Sequence, residues 1–206
     1  TYEEAQERIE TKQGDLTEEI LQLDKLAKIM RHERIRNGAI TFDRSEVRFN
    51  LDDESNPIGV YFKVSKDSNH LIEEFMLLAN KKVSEFISLN KRKEPTGNTF
   101  IYRIHDDPDP AKLKSLQEFV FSFGYKMDLA NTKKVAESLN RLLSDVKGKG
   151  EENMIETLAM RSMSKAVYST DPIGHYGLGF DYYSHFTSPI RRYPDLQIHR
   201  IIKDKL

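Results

Sequence analysis

The spacing of apolar positions sorts this chain into elements before any chemistry is considered. Across TEEILQLDKLAKIMRHERIR, residues 17–36, Ile20, Leu23, Leu26, Ala27 and Met30 recur at helical spacing and predict an amphipathic helix. Asp15 or Thr17 can cap its start, and Asn37-Gly38 ends it. The segments AITF, VRFNL and PIGVYFKV are rich in β-branched and aromatic residues and are separated by Asp-Arg-Ser and Asp-Asp-Glu-Ser-Asn turns. They predict three antiparallel strands. SNHLIEEFMLLANKKVSEFISL returns to helical period, with Leu71, Met76, Leu78, Ala79, Val83, Phe86 and Ile87 mainly on one broad face. It reads as a central buried helix.

KRKEPTGN is a loop, and TFIYRIH is a short strand. DDPDP leads into a helix over 111–122 that Gly124 ends, and a second helix follows near 132–146. After the GKGE break, ENMIETLAMRSMSKAVY predicts a further helix. TDPIGHYGLGFDYYSHF, dense in glycine and aromatics, reads as loop plus short strand before a terminal helix. There is no internal repeat and no low-complexity linker. A strand cluster mixed with several long helices is an α+β pattern, taken as one unit over 1–206.

Composition narrows the function classes. The chain is 38% hydrophobic and 32% charged, which describes a polar globular protein. Its 32 basic and 33 acidic residues leave a net charge of −1, so any anion site must be local. The absence of cysteine excludes disulfides and thiolate metal sites and fits a cytoplasmic protein. No apolar run approaches ~18 residues, so no membrane span is expected. The chain opens directly in a helical pattern and closes on LQIHRIIKDKL without a stop signal, which predicts a piece of a larger polypeptide.

Most candidate chemistry has an ordinary structural alternative. Asp52-Asp53 sits where turn residues are expected, and Asp106-Asp107 precedes a helix start, where capping suffices. No carboxylate pair joins a His in a metal-ligand pattern, so no metal site is expected within the chain. His175 in GHYGLG has the residue type of a general base, but a lone His in a glycine-rich turn is more often a hydrogen-bonded structural residue. Tyr176, Phe180, Tyr182, Tyr183 and Phe186 have the character of base-stacking residues, yet at this spacing some must be core.

HFTSPIRRYPD is different. Ser188-Pro189 predicts a helix start, with a capping hydroxyl followed by proline at the first helical position. Arg191 and Arg192 then fall in the first turn, where cations oppose the helix dipole unless an anion binds there. Phosphate recognition is the favoured reading. The alternative is an arginine pair serving an internal carboxylate such as Asp195. Pro194 either kinks the helix or restarts it.

YSTDPIGHYGLGFDYYSHFTSPIRRYPDLQIHRII resembles the terminal signature of the catalytic RNB domain in the ribonuclease II/ribonuclease R family. RIRNGAITFD, LIEEFMLLAN and YRIHDDP follow that family's order and approximate spacing, so the likeness spans essentially the whole chain. The Pro after RRY and the Arg at 192 look more like the ribonuclease R branch. The resemblance implies processive 3′-to-5′ hydrolysis of single-stranded RNA to nucleoside 5′-monophosphates. It implies magnesium, held by an upstream aspartate cluster that this chain lacks.

By the same resemblance, the first arginine of SPIRR carries the phosphate role, hence Arg191, with Arg192 beside it. The Phe of AITFD implies a base-stacking role for Phe42. The first Glu of IEEFM implies an active-site role for Glu73, and the tyrosine of TYEEA one for Tyr2. The competing class is a non-catalytic RNA-binding or scaffold protein that retains this part of the fold.

Overall fold

A computed structural model describes residues 1–42 and 46–206, apart from the Glu46 side chain. The Asp43-Arg44-Ser45 turn expected from sequence lies outside the described residues. The described elements are α1 (Tyr2–Thr11), α2 (Thr17–Arg36), β1 (Glu46–Leu51), β2 (Pro57–Lys63), α3 (Asp67–Ser88), β3 (Tyr102–Ile104), α4 (Pro110–Phe121), α5 (Thr132–Val146), α6 (Glu152–Ser162), β4 (Val167–Ser169) and α7 (Tyr193–Lys205). This is the α+β mixture the periodicity predicts. Where the sequence reads as a single unit, the chain gathers into two compact ones: residues 1–31 with 42–75, and residues 32–41 with 76–206.

In the first unit, the Thr1 hydroxyl accepts the Glu4 N–H at 3.2 Å and starts α1. Gln6 of α1 accepts the Ser68 N–H at 3.0 Å, which ties α1 to the beginning of α3. Lys28 of α2 bridges Asp24 and Asp67, at 2.8 Å to each. Strands β1 and β2 pair antiparallel, with Val47 opposite Phe62 and Phe49 opposite Val60. Asp52 shapes the connection by accepting the N–H groups of Glu54 and Asn56, which is the turn role expected of it. Val47, Phe49, Leu51, Ile58, Val60 and Phe62 are all exposed in the chain as described.

In the second unit, α2 ends as predicted. Gly38 (φ 102°) lets the Gly38 N–H reach Ile35 O and the Ala39 N–H reach Arg34 O. The strand predicted over AITF is absent. Residues 39–41 run instead along the side chain of Asn140 on α5. Its amide donates to Ala39 O at 2.8 Å and its carbonyl accepts the Thr41 N–H at 3.1 Å. One side-chain amide therefore takes the place of a ladder partner, which periodicity cannot reveal.

Two further expectations change. The helix predicted through residue 168 ends at Ser162, and Val167–Ser169 leaves it to pair with β3. β-branched Val167 and aromatic Tyr168 suit the strand once a partner exists. Helix α3 buries Leu71, Glu74, Leu77, Asn80, Ser84 and Ile87, a stripe partly polar, while Phe86 and Leu78 are exposed. Helix α6 packs on both α4 and α5, whose starts are capped by Asp109 and Asn131 respectively. The helix after DDPDP is thus capped by Asp109 and not by the Asp106-Asp107 pair. A core of Ile87, Phe100, Tyr102 and Ile198 joins α3, β3 and α7. It is the floor on which the SPIRR segment stands.

Candidate nucleic-acid interface

The glycine-rich stretch before SPIRR is a positioning device. Residues Tyr176–Leu178 make one 3₁₀ turn, and His105, just after β3, grips it from both sides. The His105 backbone donates to Gly174 O and accepts from the Tyr176 N–H. Its ring Nδ1 accepts the Gly177 N–H at 2.8 Å, and its Nε2 donates to Ser164 O at 2.8 Å. Those two bonds require the neutral Nε2–H tautomer. A Cβ on Gly177 would stand 2.9 Å from His105 Nδ1, so the close approach demands glycine. Gly179 is needed twice over, at φ 66° and with Ala39 N 3.0 Å from where its Cβ would be.

His175 packs against the His105 and Tyr183 rings at centroid distances of 5.0 and 5.2 Å. Burial pushes its pKa down to about 3, and its Nδ1 has no hydrogen-bond partner. A buried, neutral imidazole without a hydrogen-bonded orienting group is not a base poised for catalysis. Of the aromatics, Tyr183 is core, and Tyr182 and Phe186 pack against the core cluster. Tyr176 donates its hydroxyl to Thr132 O at 3.3 Å.

Asn80 of α3 holds the next residues. Its carbonyl accepts the N–H groups of Phe186 and Thr187 at 2.9 and 3.1 Å, and its amide donates to the Tyr183 hydroxyl at 3.1 Å. Ser184 donates to Ile101 O. The Phe186 ring stacks on His199 of α7 at 4.2 Å. His185 lies 2.7 Å from the Tyr168 hydroxyl, and its pKa is pushed down to about 4 by burial first and then by Arg192. Asn80's role is invisible in the sequence, because an asparagine at one helical position carries no periodic signal.

The SPIRR segment is a turn and not a helix start. The N–H groups of Arg191 and Arg192 both reach Ser188 O, at 3.3 and 3.1 Å, and α7 begins only at Tyr193, with Pro194 in its first turn. The Ser188-Pro189 helix start is therefore corrected, and Pro194 belongs to a restart after the turn. Proline there costs little, since first-turn N–H groups have no intrahelical acceptor.

The two arginines separate. Asp195 is 0% exposed, and its Oδ1 accepts the Ser188 N–H at 2.8 Å, the Arg192 Nε–H at 3.1 Å and the Arg192 Nη2–H at 2.9 Å. Arg192 thus serves the internal carboxylate, the alternative raised for the pair. Arg191 is exposed, and its guanidinium makes no hydrogen bond or ion pair among the described residues. Fully exposed Ile190 and largely exposed Tyr193 flank it.

Tyr2, Phe42 and Glu73 lie in the first unit, apart from the arginines in sequence and in unit. Tyr2 is exposed in the first turn of α1, and Phe42 is half-buried outside any strand. Glu73 is exposed on α3, with His70 Nδ1 3.4 Å from its carboxylate. Among the described residues, no group of three or more His, Cys, Asp or Glu is placed to hold a metal ion. The described donors therefore do not fit a hydrolytic magnesium centre, and no step through a metal is derived from them.

The RNB domain family matches residues 1–206. The chain belongs to the RNB-domain family. It is 33% identical over 198 residues to ribonuclease R of Aquifex aeolicus, a match covering 96% of this chain and 27% of that protein. The structure of Mycoplasma genitalium RNase R in complex with ribose-methylated single-stranded RNA superposes with a TM-score of 0.83 at 28% identity, over 98% of this chain and 31% of that one. Yeast Ssd1, described as a pseudonuclease, shares the fold with a TM-score of 0.69 at 22% identity, over 98% of this chain and 24% of that one. The RNB chain thus spans roughly a quarter of the length of the ribonuclease R it matches.

Proposed function

We propose that the full-length polypeptide carrying this chain hydrolyses single-stranded RNA processively from its 3′ end and releases nucleoside 5′-monophosphates. In this reading the chain supplies contacts to phosphate and base. The observation that carries it is the division of labour between the arginines: Asp195 engages Arg192, and Arg191 stands exposed and unengaged on a turn held by that pair. Arg191 meets the phosphate at the scissile bond, where a pre-aimed guanidinium stabilises charge that develops in the transition state. Phe42 stacks on the terminal base, and Tyr2 and Glu73 contact the same end of the RNA. Arg192 acts on substrate through the turn it holds. Magnesium is held by carboxylates outside this chain, in a cytoplasmic enzyme.

The test is Arg191→Lys against Arg192→Lys in the full-length polypeptide. Lysine keeps the charge but loses the planar two-donor fork. Arg191→Lys is expected to lower the single-turnover rate by ~10²–10³, the usual cost of one preorganised donor, with the fold and long-RNA affinity unchanged. Arg192→Lys is expected to lose stability before rate. A larger rate loss at 192 than at 191 refutes the assignment.

The second reading is an RNB fold that binds RNA without cutting it, as scaffold; among the described residues no group of three or more His, Cys, Asp or Glu is placed to hold a metal ion. Magnesium-dependent release of monophosphates by the full-length polypeptide rules that reading out, and binding without release rules out the first.

A further inference from the structure

A cavity of about 1240 Å³ in the second unit is open to solvent beside the C-terminal end of α3 and has no part in the roles assigned above. Small-molecule pockets run to about 1,000 Å³, so its size and openness suit a length of polymer better than a compact ligand. Five lysines line it, Lys81, Lys82, Lys91, Lys93 and Lys205. Two acids, Glu85 and Asp181, accompany them, so the wall carries a net +3 in a chain whose net charge is −1. A local excess of that sign in a slightly acidic protein does not follow from the composition.

The ordinary explanation for lysines near a helix C-terminus is that they satisfy its last carbonyls. Here that need is already met. Thr96 donates its N–H to Ser88 O and its hydroxyl to Ile87 O, while Lys205 donates to Phe86 O and Ile87 O at 3.1 and 3.3 Å. Lys81 and Lys82 share one carboxylate, Glu85, at 3.7 and 2.7 Å. The ammonium groups of Lys91 and Lys93 are exposed and have no hydrogen bond or ion pair among the described residues.

The loop that presents them is fixed. Asn90 accepts the N–H groups of Arg92 and Glu94 at 2.8 and 3.0 Å, and its amide donates to the Glu94 carboxylate at 2.9 Å. That bond engages Glu94, which pairs with neither lysine among the described residues. Lys93 adopts φ 61°, a left-handed conformation that costs energy in a non-glycine residue.

We propose that this lysine-lined groove is a second RNA-contact site, which holds the phosphodiester backbone independently of base sequence. It rests on the RNA-degrading reading above and adds a surface that reading does not use. Lys91 and Lys93 are cations of the site without an ion pair among the described residues, Lys81 and Lys82 line it beside Glu85, and Lys205 lies over the Phe86 ring at 5.0 Å. Phe86 and Tyr182 also line the groove, but five lysines dominate its wall, so contact to phosphate, which carries no sequence information, is the main recognition it offers.

The experiment uses the full-length polypeptide with Lys91→Gln/Lys93→Gln, and Lys112→Gln/Lys114→Gln on α4 as a charge-matched control. Binding of labelled oligo(A) and oligo(U) is measured across a salt series. Each phosphate contact to single-stranded RNA contributes ~0.7 to the slope of log affinity against log salt, so the double variant should lose about 1.4. The loss should be equal on both sequences, with single-turnover rate at saturating RNA unchanged. A slope indistinguishable from wild type and from the control, in a protein that still binds and degrades RNA, overturns this proposal alone. Wild-type protein that binds no RNA overturns the functional reading and this one together. Loss of an acidic protein partner with the RNA slope intact assigns the groove to that partner and also overturns the proposal.

Discussion

Replacing Arg192 by methionine separates structural from chemical use of the arginine pair. Asp195 is wholly buried, and the Arg192 side chain is only 23% exposed. Arg192→Met takes two of the three donors from Asp195 Oδ1, while Oδ2 already has no partner. A buried charge left without its counter-ion typically costs ~3–5 kcal/mol. The retained Ser188 N–H and the partial access of water to Arg192 place the expected loss at the lower end, about 3 kcal/mol. Asp195→Asn keeps an oxygen for Ser188 but strands the arginine, at ~1–3 kcal/mol. With both changes neither charge remains, so the double variant should lose less than the sum by about 1–3 kcal/mol. Hydrogen exchange of the Ser188–Asp195 amides reads this locally, without assuming that the whole polypeptide unfolds in one step. The same variant removes a cation facing His185, whose titration should move up from about 4. Additive single-variant effects, or an unmoved His185, refute the pairing and return Arg192 to the substrate.

Gly177→Ala drives a Cβ to 2.9 Å from His105 Nδ1, and the ring cannot retreat while its Nε2 donates to Ser164 O. A loss of ~1–3 kcal/mol in thermal unfolding is expected from that overpacking, whereas Gly150→Ala, with open space around it, should be neutral. His175 has a folded pKa of about 3 against an ordinary 6.5, because burial disfavours its charged form. The folded state therefore binds fewer protons than the unfolded state between those values. The contribution is fully present above about pH 6.5 and is lost as pH falls toward 3. Denaturant midpoints of wild type and His175→Gln across this range should converge at low pH, and parallel curves would show that His175 does not titrate.

What the sequence makes legible follows from where the deciding partner sits. Helix α2 and its Asn37-Gly38 stop could be read because period, cap and terminator are all local. Helices α4 and α5 were legible for the same reason, within a residue of their ends. AITF failed as a strand because its partner is one side chain, Asn140, on a helix ninety-odd residues later. KAVY failed as helix because its partner, β3, also lies far away in sequence. The RNB family signature was visible in the GHYGLG and SPIRR motifs, but the reason for those glycines was not. It lies in His105, whose two ring bonds reach Ser164 and Gly177. Nor could periodicity find Asn80, which anchors Tyr183, Phe186 and Thr187 from a helix position that looks merely polar.

Adjacent arginines invite the reading of a doubled positive charge, and the backbone argues against it. Arg192 is extended, at φ −130° and ψ 117°, as the residue that precedes α7. Arg191 lies in the turn that Ser188 O closes, and where Arg192 goes inward to Asp195, Arg191 stays exposed. The inner charge also holds the turn, since Asp195 binds Ser188 and Arg192 through the same oxygen. Rigidity at the base lowers the entropy lost when an outer guanidinium engages a phosphate. In the proposed reading neither arginine can take its neighbour's role, because Arg192 holds the turn through Asp195 and Arg191 makes the phosphate contact. On that proposal the pair has two uses, where an anion site alone would need one arginine.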